Sequence, residues 1–176
     1  MPYRDFRKVT KMSEVYRIAT IDDAEEQFKV IDGAYESIRE LGITFRAANA
    51  DIEMIRENIL ENTSYVLEID GSIAATISMK NLPELTELPF LYWFAVLPAF
   101  KNQGVGNRLH SYVEEVVVRN TLLAPGVVLA TSKNHPWLLP MYERKGYEAF
   151  FERPLGDTDT LIFLKKTLIE QGQPAL

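Results

Sequence analysis

The chain contains no cysteine in its 176 residues, which excludes disulfides, thiolate nucleophiles and zinc–sulfur sites together. Histidine is scarce, at two residues, and positive charge is outnumbered: 19 Lys and Arg against 25 Asp and Glu leave a formal charge of −6. Nucleic-acid binders carry a basic stripe, so that class is disfavoured. An acidic surface attracts cationic small molecules instead, weakly at physiological salt. Long apolar runs are also missing. The longest, residues 90–100, is too short to cross a bilayer as a helix. The stretch MPYRDFRKVTKMSEVY has charges but no apolar segment of the signal-peptide kind. A soluble, cytoplasmic protein is expected, with neither membrane nor nucleic acid as partner. The remaining composition, 47% apolar and 25% charged, suits one domain with a real core.

Residues 1–15 are polar, locally basic and aperiodic, and read as an N-terminal extension; 16–176 read as a single domain. A short strand is expected over 16–19. A helix opens at Ile21-Asp22-Asp23, where acidic residues suit the dipole, and runs with Phe28, Ile31, Tyr35 and Ile38 on one face until Gly42. A second helix follows Asp51, with Ile52, Ile55 and Ile59 as its stripe. Strands over 64–69 and 72–80 flank Asp70-Gly71, a two-residue hairpin signal. The loop NLPELTELP leads into a strand over 91–97 without alternation, expected to be fully buried. A third helix buries Val105, Leu109, Tyr112, Val113, Val116 and Val117. Another apolar strand covers 126–131. Asn134-His135-Pro136 signals a fourth helix, which Pro140 forces to begin late or distorted. A hairpin over 147–153 and 160–166 closes the chain. The order β-α-α-β-β-β-α-β-α-β-β implies an α/β fold. Its central sheet is mixed and mostly antiparallel, about seven strands with about four helices and a central parallel β-α-β crossover.

Two glycines, Gly104 and Gly106, stand where the strand over 91–97 gives way to the third helix. Helix N-termini with bare amides bind anions, and glycine lets a phosphate approach the backbone. The Gly-x₄-Gly-Lys-Ser/Thr phosphate loop is absent, and the dinucleotide fingerprint fails because Leu109 stands where its third Gly or Ala belongs.

What remains, Lys101-Asn102-Gln103-Gly104-Val105-Gly106 after Val96-Leu97-Pro98, resembles the cofactor loop of the GNAT superfamily of acyl-CoA-dependent N-acetyltransferases. Tyr16-Arg17-Ile18-Ala19-Thr20 with Asp23, and later Asn134, Tyr142 and Gly146-Tyr147, are similar to other parts of that family's pattern, over roughly residues 16–167. Lys101 departs from it, since the family prefers Arg or Gln there; lysine keeps the charge but loses the planar fork.

The resemblance implies transfer of an acetyl group from acetyl-CoA to a primary amine by direct attack in a ternary complex, with no metal. The acceptor would be a small molecule or a peptide, and a homodimer is admissible. The cofactor would be held by Phe94, Val96, Lys101, Asn102, Gln103, Gly104, Val105, Gly106, Asn107, Asn134 and Tyr142. Tyr142 would be the general acid and the Val96 backbone N–H the oxyanion donor. Asn134 reads equally as a helix cap. The base is not legible: Glu84 and Glu87 are candidates by proximity alone, His135 reads first as a cap, and His110 as structural. Two other classes, a CoA-binding sensor lacking transfer and a structural α/β module, are separated from an enzyme by CoA-thiol release and by acetyl-CoA binding.

Overall fold

A computed structural model describes residues 12–170, so most of the stretch read as an extension lies outside the described residues. Its last residues do not: β1 (Glu14–Ile18) begins at Glu14. β1 pairs antiparallel with β2 (Thr63–Ile69), and Arg17 joins the two to the helix entry, donating to Asp23 at 2.7 and 2.8 Å and to Glu68 at 2.9 Å. The Arg17 guanidinium holds the Asp23 carboxyl below its ordinary value against the opposing effect of burial.

A 3₁₀ turn at Ile21–Asp23 leads into α1 (Ala24–Glu40), whose end is closed by the Gly42 and Ile43 amides bonding back to the Arg39 and Ile38 carbonyls at 2.9 and 3.3 Å. A second 3₁₀ turn, Arg46–Asn49, precedes α2 (Ile52–Glu61), where Asp51 caps the Met54 amide at 2.8 Å. β3 (Ser72–Lys80) follows β2 through Asp70 and Gly71, both at positive φ (50° and 83°), as the tight hairpin requires. Then come β4 (Phe90–Val96), α3 (Val105–Tyr112), β5 (Gly126–Ser132), α4 (Leu138–Arg144), β6 (Glu148–Leu155) and β7 (Asp159–Thr167).

The seven strands form one sheet in the order β1-β2-β3-β4-β5-β7-β6, antiparallel throughout except for β4 against β5. One core lies under α1 and α2, around Val30, Ile31, Ile55, Val66 and Ile73. The other lies under α3, around Leu67, Ile77, Leu109, Val113 and Leu129. Each such side chain, once fully buried, contributes about 1.5–3 kcal/mol of hydrophobic stabilisation.

Two elements depart from the sequence expectation, and the fourth helix follows it. The third helix does not keep its α-helical period: from Val113–Thr121 it is a π-helix. The wider turn moves the buried stripe by one residue, so Val116 is 41% exposed and Val118 is fully buried. Glu114, one turn after the buried His110, is also inside. The strand over 91–97 is only half-buried, with Leu91 and Ala95 its buried members, because much of it borders a cavity. The fourth helix begins late, at Leu138, which leaves Pro140 in the first turn where no amide is needed.

Candidate active site

β4 is bulged. Thr76 pairs with Ala95 and Ser78 with Tyr92, so Trp93 and Phe94 together oppose Ile77, and Trp93 adopts φ 53°. The extra residue breaks the strand's alternation. Tyr92 bonds Asn58 of α2 through its hydroxyl, and Trp93 packs on the α1–α2 side. Phe94 and Val96 return to the α3 side, sharing a face as expected. On its other edge β4 meets β5 only at its start, through the pair Phe90–Val128 and a 2.9 Å bond from the Val128 amide to the Pro89 carbonyl. Beyond that point the two parallel strands diverge. The Leu97 amide donates to Ala74 of β3 at 2.8 Å, so the Val96 amide, one residue back, points to the opposite, diverging edge.

The glycine loop lies at the far end of this opening. Gly104 caps α3 at φ 72° and Asn102 also has positive φ, 62°. The first bond of the helix joins the Arg108 amide to the Gly104 carbonyl at 3.0 Å. The amides of Val105, Gly106 and Asn107 therefore have no partner within the helix and present a positive field at its start. Lys101 is exposed, and Lys145 reaches the Asn107 side chain at 2.6 Å. Bare amides flanked by two lysines fit a pyrophosphate. Gly106 is required for a different reason from the one its motif suggests. A Cβ there would lie 2.9 Å from Val96 Cγ2 and 3.0 Å from Phe94 Cζ, so the missing methyl lets α3 settle onto β4.

Between the bulge, β5 and the α1–α2 link is a cavity of about 330 Å³, within the size range of small-molecule sites. Tyr142 enters it from α4, His110 from α3, Tyr35 from α1 and Thr131 from the end of β5. Tyr142 is buried, and no group among the described residues hydrogen-bonds its hydroxyl. Burial pushes that hydroxyl up to about 12, with the Glu114 carboxylate adding to the effect. Tyr35 donates to the Phe94 carbonyl at 3.1 Å. The Thr131 hydroxyl is buried without a hydrogen-bond partner among the described residues.

Behind Tyr142 a polar chain runs through the core. The Tyr147 hydroxyl donates to Glu114 at 2.8 Å, Lys166 reaches the same carboxylate oxygen at 3.1 Å, and His110 Nε2 lies 2.8 Å from the Tyr147 oxygen. Burial draws His110 down to about 4 against the pull of Glu114, so the ring is neutral at pH 7. Since Tyr147 donates to Glu114, the His110 proton sits on Nε2 and points at Tyr147.

Other expected residues are elsewhere. Asn134 donates its side-chain amide to the Thr158 carbonyl at 3.1 Å and does not line the cavity. It does not cap α4 either. His135 does that, its Nδ1 accepting from the Trp137 and Leu138 amides at 3.4 and 3.3 Å. Glu84 and Glu87 are exposed on their loop and line no part of the cavity. The cavity wall instead carries Arg46, Lys80 and Arg153 and no carboxylate, against the expectation that net negative charge drew from the whole surface.

Residues 31–147 match the model of the acetyltransferase (GNAT) family. The chain belongs to the GNAT family. Two relatives from Bacillus subtilis (strain 168) span nearly the whole chain. An S-alkylcysteine N-acetyltransferase is 42% identical over 169 residues, 93% of this chain and 94% of its own. An S-(2-succino)cysteine N-acetyltransferase is 43% identical over 161 residues, 89% and 98% respectively. Among solved structures, the PaiA N-acetyltransferase from Thermoplasma acidophilum, in complex with coenzyme A, superposes with a TM-score of 0.70 at 13% identity, covering 89% of this chain and 99% of its own. The GNAT protein is an N-acetyltransferase that uses acetyl-CoA. No helix among the described residues is long and apolar enough to cross a membrane.

Proposed function

We propose that the chain acetylates the α-amino group of an S-substituted cysteine by direct attack in a ternary complex. The observation that carries this reading is the pair of cysteine-derivative acetyltransferases that match 93% and 89% of it. A cavity sized for a small molecule, with aromatic walls and cations but no carboxylate, supports an amino-acid acceptor over a polyamine.

Acetyl-CoA supplies an activated acyl thioester. Lys101, Lys145 and the bare amides of Val105, Gly106 and Asn107 hold its pyrophosphate, with Asn102, Gln103 and Gly104 shaping the turn. Phe94 and Val96 flank the acyl end. The Thr131 hydroxyl offers the polar contact expected of Asn134. The Val96 amide, aimed into the opening, stabilises the developing oxyanion without reorganising. Tyr142, protonated and without a hydrogen-bond partner among the described residues, delivers a proton to the departing thiolate. No side-chain base is assigned. The acceptor's α-ammonium gives up its proton to solvent, and the neutral amine then attacks the acyl carbon. The reaction belongs in the cytoplasm, where the donor is made, and the protein acts alone or as a homodimer.

The test is CoA-thiol release from acetyl-CoA with S-methyl-L-cysteine and S-(2-succino)-L-cysteine, set against lysine and spermidine. Turnover with at least one cysteine derivative, well above the other amines, is expected. Release no faster than hydrolysis for both derivatives would sink the reading.

A further inference from the structure

Arg46, Lys80 and Arg153 come from three separate segments: the turn between α1 and α2, the end of β3, and the middle of β6. All three border the same cavity. None is within salt-bridge distance of a carboxylate among the described residues, where Arg17, Arg39, Arg56 and Arg108 each have one. Aromatic faces position two of them instead. The Lys80 ammonium lies 4.6 Å from the centre of the Tyr92 ring and the Arg153 guanidinium 5.0 Å from that of Phe163. Phe90 bridges these rings, 5.9 Å from each. A cation held by a ring face keeps its hydrogen-bond donors for another partner.

The three charges also act on one another. Lys80 is drawn below its ordinary value by burial first and then by Arg46, with Arg153 adding a smaller part; the exposed Glu84 opposes this from outside the cavity wall. Grouping like charges in a partly dry site costs free energy unless an anion joins them. A single α-carboxylate neutralises one charge of the three.

We propose that Arg46, Lys80 and Arg153 form a carboxylate clamp that selects acceptors whose S-substituent itself bears carboxylates, the succinyl type over the plain alkyl type. The proposal rests on the reading that the acceptor is an S-substituted cysteine. S-(2-succino)cysteine carries two carboxylates beyond the α-carboxylate, so its three negative charges match the three cations. An alkyl group in the same place leaves two of the cations unanswered. The selection is a difference in affinity between two acceptors that present the same amine to the same donor.

The experiment compares kcat/KM for S-(2-succino)-L-cysteine and S-methyl-L-cysteine in the wild-type protein and in Arg46→Gln, Lys80→Gln and Arg153→Gln, with melting temperatures to confirm folding. The wild type should favour the succinyl acceptor. In at least two variants the ratio of the two kcat/KM values should fall about 10- to 100-fold, the loss typical of one charge-assisted contact, while the KM for acetyl-CoA holds. A wild type that prefers S-methyl-L-cysteine, an unchanged ratio in all three variants, or a loss confined to acetyl-CoA overturns the clamp. Calorimetric titration of succinate reads the clamp without turnover. Binding that weakens at least tenfold in Lys80→Gln or Arg153→Gln supports it even if no cysteine derivative is acetylated, in which case only the acceptor reading fails. Succinate binding no tighter in the wild type than in the variants removes the clamp and leaves that reading standing wherever turnover is seen.

Discussion

With its hydroxyl pushed up to about 12 by burial, Tyr142 is a proton donor at any working pH. Tyr142→Phe keeps the ring, its packing and the affinity for acetyl-CoA. We expect kcat and kcat/KM to fall together by about 10²–10⁴-fold, as for a positioned acid; unchanged turnover at saturating acceptor would retire the assignment. The two histidines set a second expectation. His110 falls from its ordinary 6.5 to about 4 on folding, and burial lowers His135 as well. The unfolded chain therefore binds more protons than the folded one below 6.5, and stability present above that pH is lost as pH falls toward 4. The charges around His110 are Glu114, Lys145 and Lys166, and none of them reverses this direction. Melting temperature should be level above pH 6.5 and decline below it, and His110→Phe, though less stable overall, should show a shallower decline. That Tyr142 borders the cavity was legible because it stands in a spaced local pattern. Arg46, Lys80 and Arg153 were not, since no local pattern links residues that only the sheet brings together. That Asn134 turns its amide to Thr158 was not legible, because a motif fixes sequence position and not where a side chain points.

At the level of elements, the approach of α3 to β4 is the joint that sets the start of α3, where the pyrophosphate is proposed to bind. Gly106→Ala puts a methyl against Val96 and Phe94, both closer than ordinary contact. Overpacking of that kind costs about 1–3 kcal/mol and displaces the helix start together with its amides. Gly104→Ala meets only the Arg108 guanidinium, at 3.2 Å, but must adopt φ 72°, at a cost of about 1–2 kcal/mol. Both variants should melt lower. Gly106→Ala should also raise the KM for acetyl-CoA by more than Gly104→Ala does; equal KM values would detach the cradle from the packing. Most element boundaries were legible from caps, the Asp70-Gly71 turn and periodicity. The π-helix was not, because a period of 3.6 gives no warning of a turn that takes one residue more. The bulge in β4 escaped for a related reason: two aromatics in succession on one face look in sequence like a buried strand.

For the whole molecule, the mixed, mostly antiparallel sheet and its crossover followed from the succession of elements, while the strand order and the divergence of β4 from β5 did not, since pairing is a property of two strands and the sequence offers them one at a time. That divergence has a mechanical consequence. β1 to β4 and β5, β7 and β6 are two half-sheets joined by backbone at one end, in the manner of tongs held at Phe90 and Val128. A donor lying between the arms acts as a splint. In the free enzyme the Val96 amide, although central in the sheet, should exchange with deuterium much faster than Leu97, which is bonded to Ala74. Adding acetyl-CoA should slow Val96 and leave Leu97 nearly as before; equal protection of the two without ligand would mean that the tongs are already closed.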